Sequence, residues 1–383
     1  MPDCILHFGL PKTGSTAIQR ALSRHLTDPR FLYSRFQEPI HDHGNHSRAI
    51  VTLFSHRAEA YHTHAAEGVS RERLAEDRLV LRARLDAEVA ALAGRTLLLS
   101  AEDILYLRPK ELESLRRFLE ERRLATLAVG YVRPPRAALE SQFLEALKHR
   151  APSLTSFLGI HRSFGMRRLA SLDQAFGREH VRIWKYDRGA FPGHCVVADF
   201  CRRIDARTPQ VIENDANRSF SLAAARLLYT WRRHVAPRPP DPQAPGDDAA
   251  FIARLGDLTG PRFRFHPSLI EPIISQYPID RLEERVGGSL RDGMDDDQAP
   301  AIRGEEDLFD FSPESLDWLA RQTGVAAATL AGGDRQVVAG AVDRLREIAV
   351  AQRRLAERAP TGLVARVREL GSRIARGLSG RSP

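Results

Sequence analysis

Residues 4 to 19 read Cys-Ile-Leu-His-Phe-Gly-Leu-Pro-Lys-Thr-Gly-Ser-Thr-Ala-Ile-Gln. A short apolar run breaks into a Gly/Pro/Ser/Thr turn and then enters a helical pattern, with Lys12 inside the turn. Strand, loop with free backbone N–H groups and helix N-terminus together make the layout of an anion cradle. Gly9 and Gly14 have the spacing of the nucleotide phosphate loop G-x-x-x-x-G-K-[ST], but Ser15 stands where that pattern has lysine. The lysine sits at Lys12, ahead of the second glycine, and so approaches a bound anion from a different direction. The pattern asks for a phosphate-bearing ligand without singling out ATP. Ile18, Leu22 and Leu26 follow at four-residue spacing beside Ala17 and Ala21, which gives the helix one face to pack on a sheet. Ser15 and Thr16 stand where a hydroxyl caps the helix or bonds a phosphate.

A second signal lies at residues 126 to 132, Thr-Leu-Ala-Val-Gly-Tyr-Val, an apolar stretch suited to a buried parallel strand. It ends at Arg133, and Pro134 and Pro135 can start a helix but cannot continue a strand. Arg133 is thereby expected at the carboxyl end of a strand, where open α/β sheets bind ligands. Taken with the Lys12 loop, it is a candidate clamp for a second phosphate.

These segments carry a family resemblance. Pro11-Lys12-Thr13-Gly14-Ser15-Thr16 resembles the 5′-phosphosulfate loop of sulfotransferases that use 3′-phosphoadenylyl sulfate. Arg133-Pro134-Pro135-Arg136 followed by Ser141 resembles their 3′-phosphate signature, in which an arginine and a serine eight residues later hold that phosphate; the spacing here is also eight. Val181-Arg182-Ile183-Trp184-Lys185-Tyr186-Asp187, then Asp199-Phe200-Cys201, resembles the late strand and following helix of bacterial and carbohydrate sulfotransferases. No Arg-Lys-Gly segment with a downstream Gly-x-Trp is present, which turns the resemblance away from the cytosolic small-molecule members. Near the equivalent stretch stand Asn214, Asn217, Arg218 and Ser219.

The resemblance implies a sulfotransferase with 3′-phosphoadenylyl sulfate as donor and adenosine 3′,5′-bisphosphate as product. It places Lys12, Thr13, Gly14, Ser15 and Thr16 on the phosphosulfate, and Arg133 and Ser141 on the 3′-phosphate. The expected acceptor is a hydroxyl-bearing small molecule or glycan. Two alternatives share the cradle: a nucleotide-dependent small-molecule kinase, with Arg133 and Arg136 as charge clamps, and a nucleotide-binding α/β protein without transfer. Against the kinase stand Ser15 and the lack of an apolar strand ending in a magnesium-binding Asp after the loop.

An acceptor hydroxyl needs a base within hydrogen-bond reach. Glu102 is the first candidate, because Thr96-Leu97-Leu98-Leu99-Ser100 reads as a buried strand with Glu102 and Asp103 at its carboxyl end. The rival is in the stretch with His41, His43, His46, His56, His62 and His64, where His56 is the best placed. The His-x-His pairs raise a metal site, but the reaction does not need one and none is expected. Arg35, Arg48 and Arg57, with Phe31, Tyr33, Phe36 and Tyr61, are candidates to line an acceptor site for a sugar or acidic glycan.

Strands near 4–8, 96–100, 126–132 and 181–185 alternate with helices near 15–27, 71–93, 110–122, 135–149, 164–176 and 219–234. That alternation predicts an α/β fold, a P-loop-like parallel β-sheet flanked by helices, with a largely helical C-terminal extension. The expected division is a core over 1–235, a loop-rich excursion over 236–310, and a helical cap with a basic tail over 311–383. The net charge of +8 comes from 57 basic and 49 acidic residues that are dispersed along the chain, so no nucleic-acid partner is expected. Arg366, Arg368, Arg373, Arg376 and Arg381 offer a peripheral contact with a membrane or polyanion. Three cysteines, no signal-peptide pattern and no apolar run near 18 residues lead to an expected cytoplasmic location.

Overall fold

In the computed structural model, residues 2–37, 44–149, 152–160, 166–212, 220–235, 247–294 and 300–358 are described. The strands are β1 (Cys4–Phe8), β2 (Phe31–Tyr33), β3 (Thr96–Ala101), β4 (Thr126–Val132) and β5 (Val181–Lys185). They pair in parallel as one five-stranded sheet in the order β2-β3-β1-β4-β5. Between β1 and β3 stand α1 (Ser15–His25), α2 (Ser47–Phe54), α3 (His62–Glu67) and α4 (Arg71–Ala90). Then come α5 (Pro109–Glu121), α6 (Pro135–His149), α7 (Leu154–Ile160), α8 (Met166–Phe176) and, after β5, α9 (Val196–Arg203). The remaining helices are α10 (Leu222–His234), α11 (Asp247–Gly256), α12 (Pro267–Ile274), α13 (Ile279–Val286), α14 (Pro313–Thr323), α15 (Ala327–Leu330) and α16 (Arg335–Arg358). The expected architecture is present: a parallel sheet flanked by helices, with a mostly helical C-terminal extension.

The central strands β3, β1 and β4 form where the sequence is largely apolar, because parallel strands inside a sheet are covered on both faces. All five residues of β1 are buried, and its register sets Cys4 opposite Leu97 on one side and Thr126 on the other. From β3 the chain crosses over β1 to reach β4, so winding reverses between β1 and β4 and opens a crevice at their carboxyl ends. On one face, Ile5, Val129 and Tyr131 pack with Ile18 and Leu22 of α1 and Phe200 of α9. On the other, the Phe8 ring covers Gly130, where a Cβ would lie 2.4 Å from the ring's Cε2. The short β2 carries no period of its own; Phe31, Leu32 and Tyr33 are a strand because they pair with Thr96, Leu97 and Leu98.

Buried polar side chains tie the elements of this core together. Ser100 of β3 shares a 2.7 Å hydrogen bond with His7 Nδ1 of β1, and its backbone N–H donates to His46 Nδ1 at 2.9 Å. His46 Nε2 lies 2.9 Å from the Ser34 carbonyl, so one buried ring ties the segment after β2 to β3. Asp199 of α9 is fully buried and accepts from the Tyr131 hydroxyl at 2.7 Å, Arg203 Nε at 2.6 Å and Arg202 Nη2 at 2.7 Å. Burial favours its neutral form, yet those donors carry its pKa below the usual carboxylate value.

Two compact units are distinguishable. The first comprises Met1–Gln142, Leu158–Asn217 and Pro267–Gln298 and contains the sheet. Within it, α13 lies beside β5, fixed by Arg285, which donates to Asp173 at 2.6 Å and to the Val181 carbonyl at 2.9 Å. The second comprises Phe143–Phe157, Arg218–His266 and Ala299–Pro383. There α16 packs on α10, α11 and α14, while Phe143, Phe263, Phe265 and Tyr229 form an aromatic cluster. Ser221 caps α10, Ser312 caps α14, and Gly324 ends α14 in the left-handed conformation. Residues 236–310 were expected to be loop-rich, but α11, α12 and α13 lie there, because Phe251, Leu255, Ile270, Ile273 and Leu282 supply buried helical faces. The basic residues beyond 358 lie outside the described residues.

Burial holds the His7 imidazole down to about 3 and the His46 imidazole to about 4, against an ordinary 6.5. A group with a depressed folded pKa contributes stability that is complete above its unfolded pKa and is lost as pH falls toward the folded one. The urea midpoint is therefore expected to fall steadily from pH 6.5 to about pH 4. His46→Gln, less stable at neutral pH, should show a shallower fall; an unchanged slope would show that His46 does not titrate in this way.

Candidate active site at the carboxyl edge of the sheet

The loop between β1 and α1 turns on two left-handed residues, Lys12 with φ 64° and Gly14 with φ 81°. Glycine takes this conformation without steric cost, whereas a lysine there must be held by its surroundings. Two contacts do so: the Thr13 hydroxyl donates to the Leu10 carbonyl at 2.7 Å, and Arg133 Nη1 donates to the Lys12 carbonyl at 3.1 Å. Gly14 is also fixed by space, since a Cβ there would come within 2.8 Å of Val196 of α9. The Tyr186 ring edge stands next to it, 3.5 Å from the same position, and the Arg133 guanidinium lies 5.5 Å from that ring's centre.

Helix α1 begins at Ser15 with Gly14 as its N-cap and no side-chain cap. The expected hydroxyl cap is therefore not made, and the first-turn N–H groups keep no intrahelical partner. Ser15 Oγ is buried and has no hydrogen-bond partner. A buried hydroxyl without a partner costs ~1–3 kcal/mol. An anion seated at this helix end would accept from both the hydroxyl and the N–H groups, so this unpaired atom fits a phosphate-bearing ligand. Thr16 is exposed in the same turn.

Glu102 directly follows β3, and its side chain reaches this loop. A Cβ built on Gly9 would lie 2.2 Å from Ser15 Oγ and 2.7 Å from Glu102 Cγ. Burial raises the Glu102 pKa and the charge of Asp103 raises it further, while Lys12 pulls it down. Asp103 is fixed by the Tyr61 hydroxyl, which donates to it at 2.5 Å, and by its own N–H, which donates to Ser47 Oγ at 3.0 Å. Lys12, Ser15, Glu102 and Arg133, from three strand ends, thus converge on one loop. A cation, a cradle of N–H groups and a partly desolvated carboxylate can bind a polyanion and accept a proton beside it.

Other expected residues stand elsewhere. His56 is exposed, and its backbone N–H donates to Glu111 Oε1 at 2.7 Å, which positions it at the start of α5. Ser141 lies half-buried on α6, and the face of α6 that lines the pocket beside Arg133 presents Pro135, Ala138, Leu139 and Gln142 instead. Arg136 points away from the loop: it donates to Glu140 at 3.1 Å and to the Gly293 carbonyl. His41 and His43, and Asn214, Asn217, Arg218 and Ser219, lie outside the described residues. His46 and His64 are buried, His64 against Thr52 at 2.9 Å, and no group of three potential metal ligands occurs among the described residues. Phe31, Tyr33 and Phe36 do not line an acceptor site, because all three are buried in the core; Arg48 pairs with Glu67 at 2.6 Å.

Sequence reasoning did not single out Tyr186, although its place one residue past β5 puts it beside the end of β4, where its N–H donates to the Val132 carbonyl at 2.7 Å. It also gave no sign of the pocket flanking Leu10, Pro11 and Arg133, whose far wall includes Leu169, Tyr277 and Leu282. These residues are brought together by helices distant in sequence.

No protein-family model, curated protein or solved structure matches the chain. What stands is a generic Rossmann-like α/β architecture of a kind that could bind a nucleotide-like ligand. No helix among the described residues is long and apolar enough to cross a membrane.

Gly9→Ala must displace Ser15 Oγ or Glu102. Such overpacking costs ~1–3 kcal/mol. The expected result is a lower melting temperature together with weaker binding of adenosine 3′,5′-bisphosphate in a calorimetric titration. Wild-type values for both would mean that the close packing of Gly9, Ser15 and Glu102 is not needed.

Proposed function

We propose that the β1–α1 loop binds the phosphate end of an adenine nucleotide, and that this nucleotide is 3′-phosphoadenylyl sulfate, used to sulfate an acceptor hydroxyl. The observation that carries the proposal is the convergence of Lys12, the unpaired Ser15 hydroxyl, Glu102 and Arg133 on one loop. The sequence Pro11-Lys12-Thr13-Gly14-Ser15-Thr16 supports the sulfuryl donor over ATP, because its lysine precedes the second glycine.

In this reading the acceptor oxygen attacks sulfur in line. A new O–S bond forms, the bond from sulfur to the bridging oxygen breaks, and adenosine 3′,5′-bisphosphate departs with that electron pair. Glu102 takes the acceptor's proton. Lys12 and the N–H groups of residues 13–16 face the charge growing on the leaving phosphate, where stabilisation lowers the barrier. Arg133 meets the 3′-phosphate.

Lys12→Ala should lose most turnover, by ~3 kcal/mol in barrier, with a smaller loss of donor affinity; near-wild-type rates would remove the assignment. Because burial and Asp103 raise the Glu102 pKa, the rate should fall with decreasing pH at a point above the ordinary 4.5. Asp103→Asn should move that limb to lower pH, and Glu102→Gln should abolish it; an identical profile in all three proteins would exclude Glu102 as the base. Arg133→Ala should weaken 3′-phosphoadenylyl sulfate by ~1.5–3 kcal/mol but adenylyl sulfate much less. Equal loss for both would place Arg133 with the fold or the shared phosphosulfate.

A nucleotide-binding protein without transfer, or a phosphotransferase, is the second reading. It is favoured by the generality of the architecture and by the lack of any match to known sulfotransferases. Magnesium-dependent binding of ATP tighter than that of adenosine 3′,5′-bisphosphate would select the phosphotransferase.

A further inference from the structure

Beside the loop, and sharing Leu10, Pro11 and Arg133 with it, a pocket opens between the end of β4, α6, α8 and α13. Val132, Ala138, Leu139, Leu169 and Leu282 make its walls apolar. Among the described residues that line it, only Arg133, Gln142 and Tyr277 bring hydrogen-bonding side chains. Gln142 Nε2 is buried without a hydrogen-bond partner. A lining that is mostly apolar with a few placed polar groups is the kind found at small-molecule sites.

We infer that this pocket holds the acceptor, and that the acceptor is an apolar aryl or alkyl alcohol rather than a sugar. The inference rests on the sulfuryl-transfer reading for what happens at the loop, and on the pocket alone for what binds. A pyranose carries a hydroxyl on nearly every ring carbon, and each one buried without a partner costs ~1–3 kcal/mol. Three polar side chains cannot serve them all. An alcohol with one hydroxyl directed at the loop leaves only apolar surface in the pocket, where burial stabilises it by ~25 cal/mol per Å².

In the transfer, the alcohol oxygen bonds to sulfur, its proton passes to Glu102, and the bisphosphate leaves with the electron pair of the broken S–O bond.

Naphthol, whose own fluorescence reports binding, tests this directly. Wild type should bind it, and Ala138→Trp, which fills the pocket from the half-exposed face of α6, should weaken binding by about tenfold or more. Ala137→Ser, on α6 but outside the pocket lining, should bind as wild type does and controls for the helix. Calorimetry with adenosine 3′,5′-bisphosphate should give the same affinity in all three proteins. With radiolabelled donor, wild type should sulfate naphthol or dodecanol in preference to glucose or glucosamine. Equal naphthol affinity in wild type and a folded Ala138→Trp, or preferential sulfation of the sugars, would overturn the inference. Pocket-dependent naphthol binding in a chain that fails to bind the bisphosphate would uphold the apolar site while removing the sulfotransferase reading.

Discussion

The turn at residues 12–14 is the constraint on which the carboxyl edge of the sheet depends. A lysine in the left-handed conformation is unfavourable by itself, and it persists because Thr13 bonds back to Leu10 and Arg133 reaches across from β4 to the Lys12 carbonyl. That second contact couples two strands. Any shift of β4 along β1 would release the carbonyl, loosen the turn and re-aim the first N–H groups of α1. The register of Cys4 against Thr126 and Leu97 is thus also the register of the site.

Electrostatics at this edge follow from the same placement. Glu102 sits at the end of β3, close enough to Gly9 that no side chain fits between them, and the burial that results raises its proton affinity. Lys12 opposes that rise without removing it, so the carboxylate keeps basicity next to a cation. Deeper in the sheet, His7 and His46 are buried for a different purpose. They stay neutral, bond Ser100 from two directions and fix β3, from whose end Glu102 projects.

The parts of this arrangement that were legible in the sequence are those with local physical signals. Apolar runs marked β1, β3, β4 and β5, and a glycine-rich turn before an amphipathic helix marked the cradle. Arg133 and Glu102 were legible because each ends a strand, and strand ends in a parallel sheet share one edge. Residues with the right chemistry but no such marker were placed poorly. Phe31, Tyr33 and Phe36 looked like a stacking surface, yet β2 pairs with β3 and draws them into the core. His46 looked like a loop histidine and is instead a buried bridge.

By itself, the sequence determined the α/β class, strands β1, β3, β4 and β5, helices α1, α4, α5, α6, α8 and α10, and the turn between β1 and α1, since hydrophobic period and turn chemistry act over neighbouring residues. Tertiary structure alone decided the strand order, the left-handed Lys12, the unpaired Ser15 hydroxyl, the place of Tyr186 beside Gly14 and the apolar pocket bounded by Leu10, Leu139, Leu169 and Leu282. Each of these depends on contacts between segments far apart along the chain. Such contacts are fixed by packing and pairing in three dimensions, and no local pattern encodes which distant residue will fill a given space.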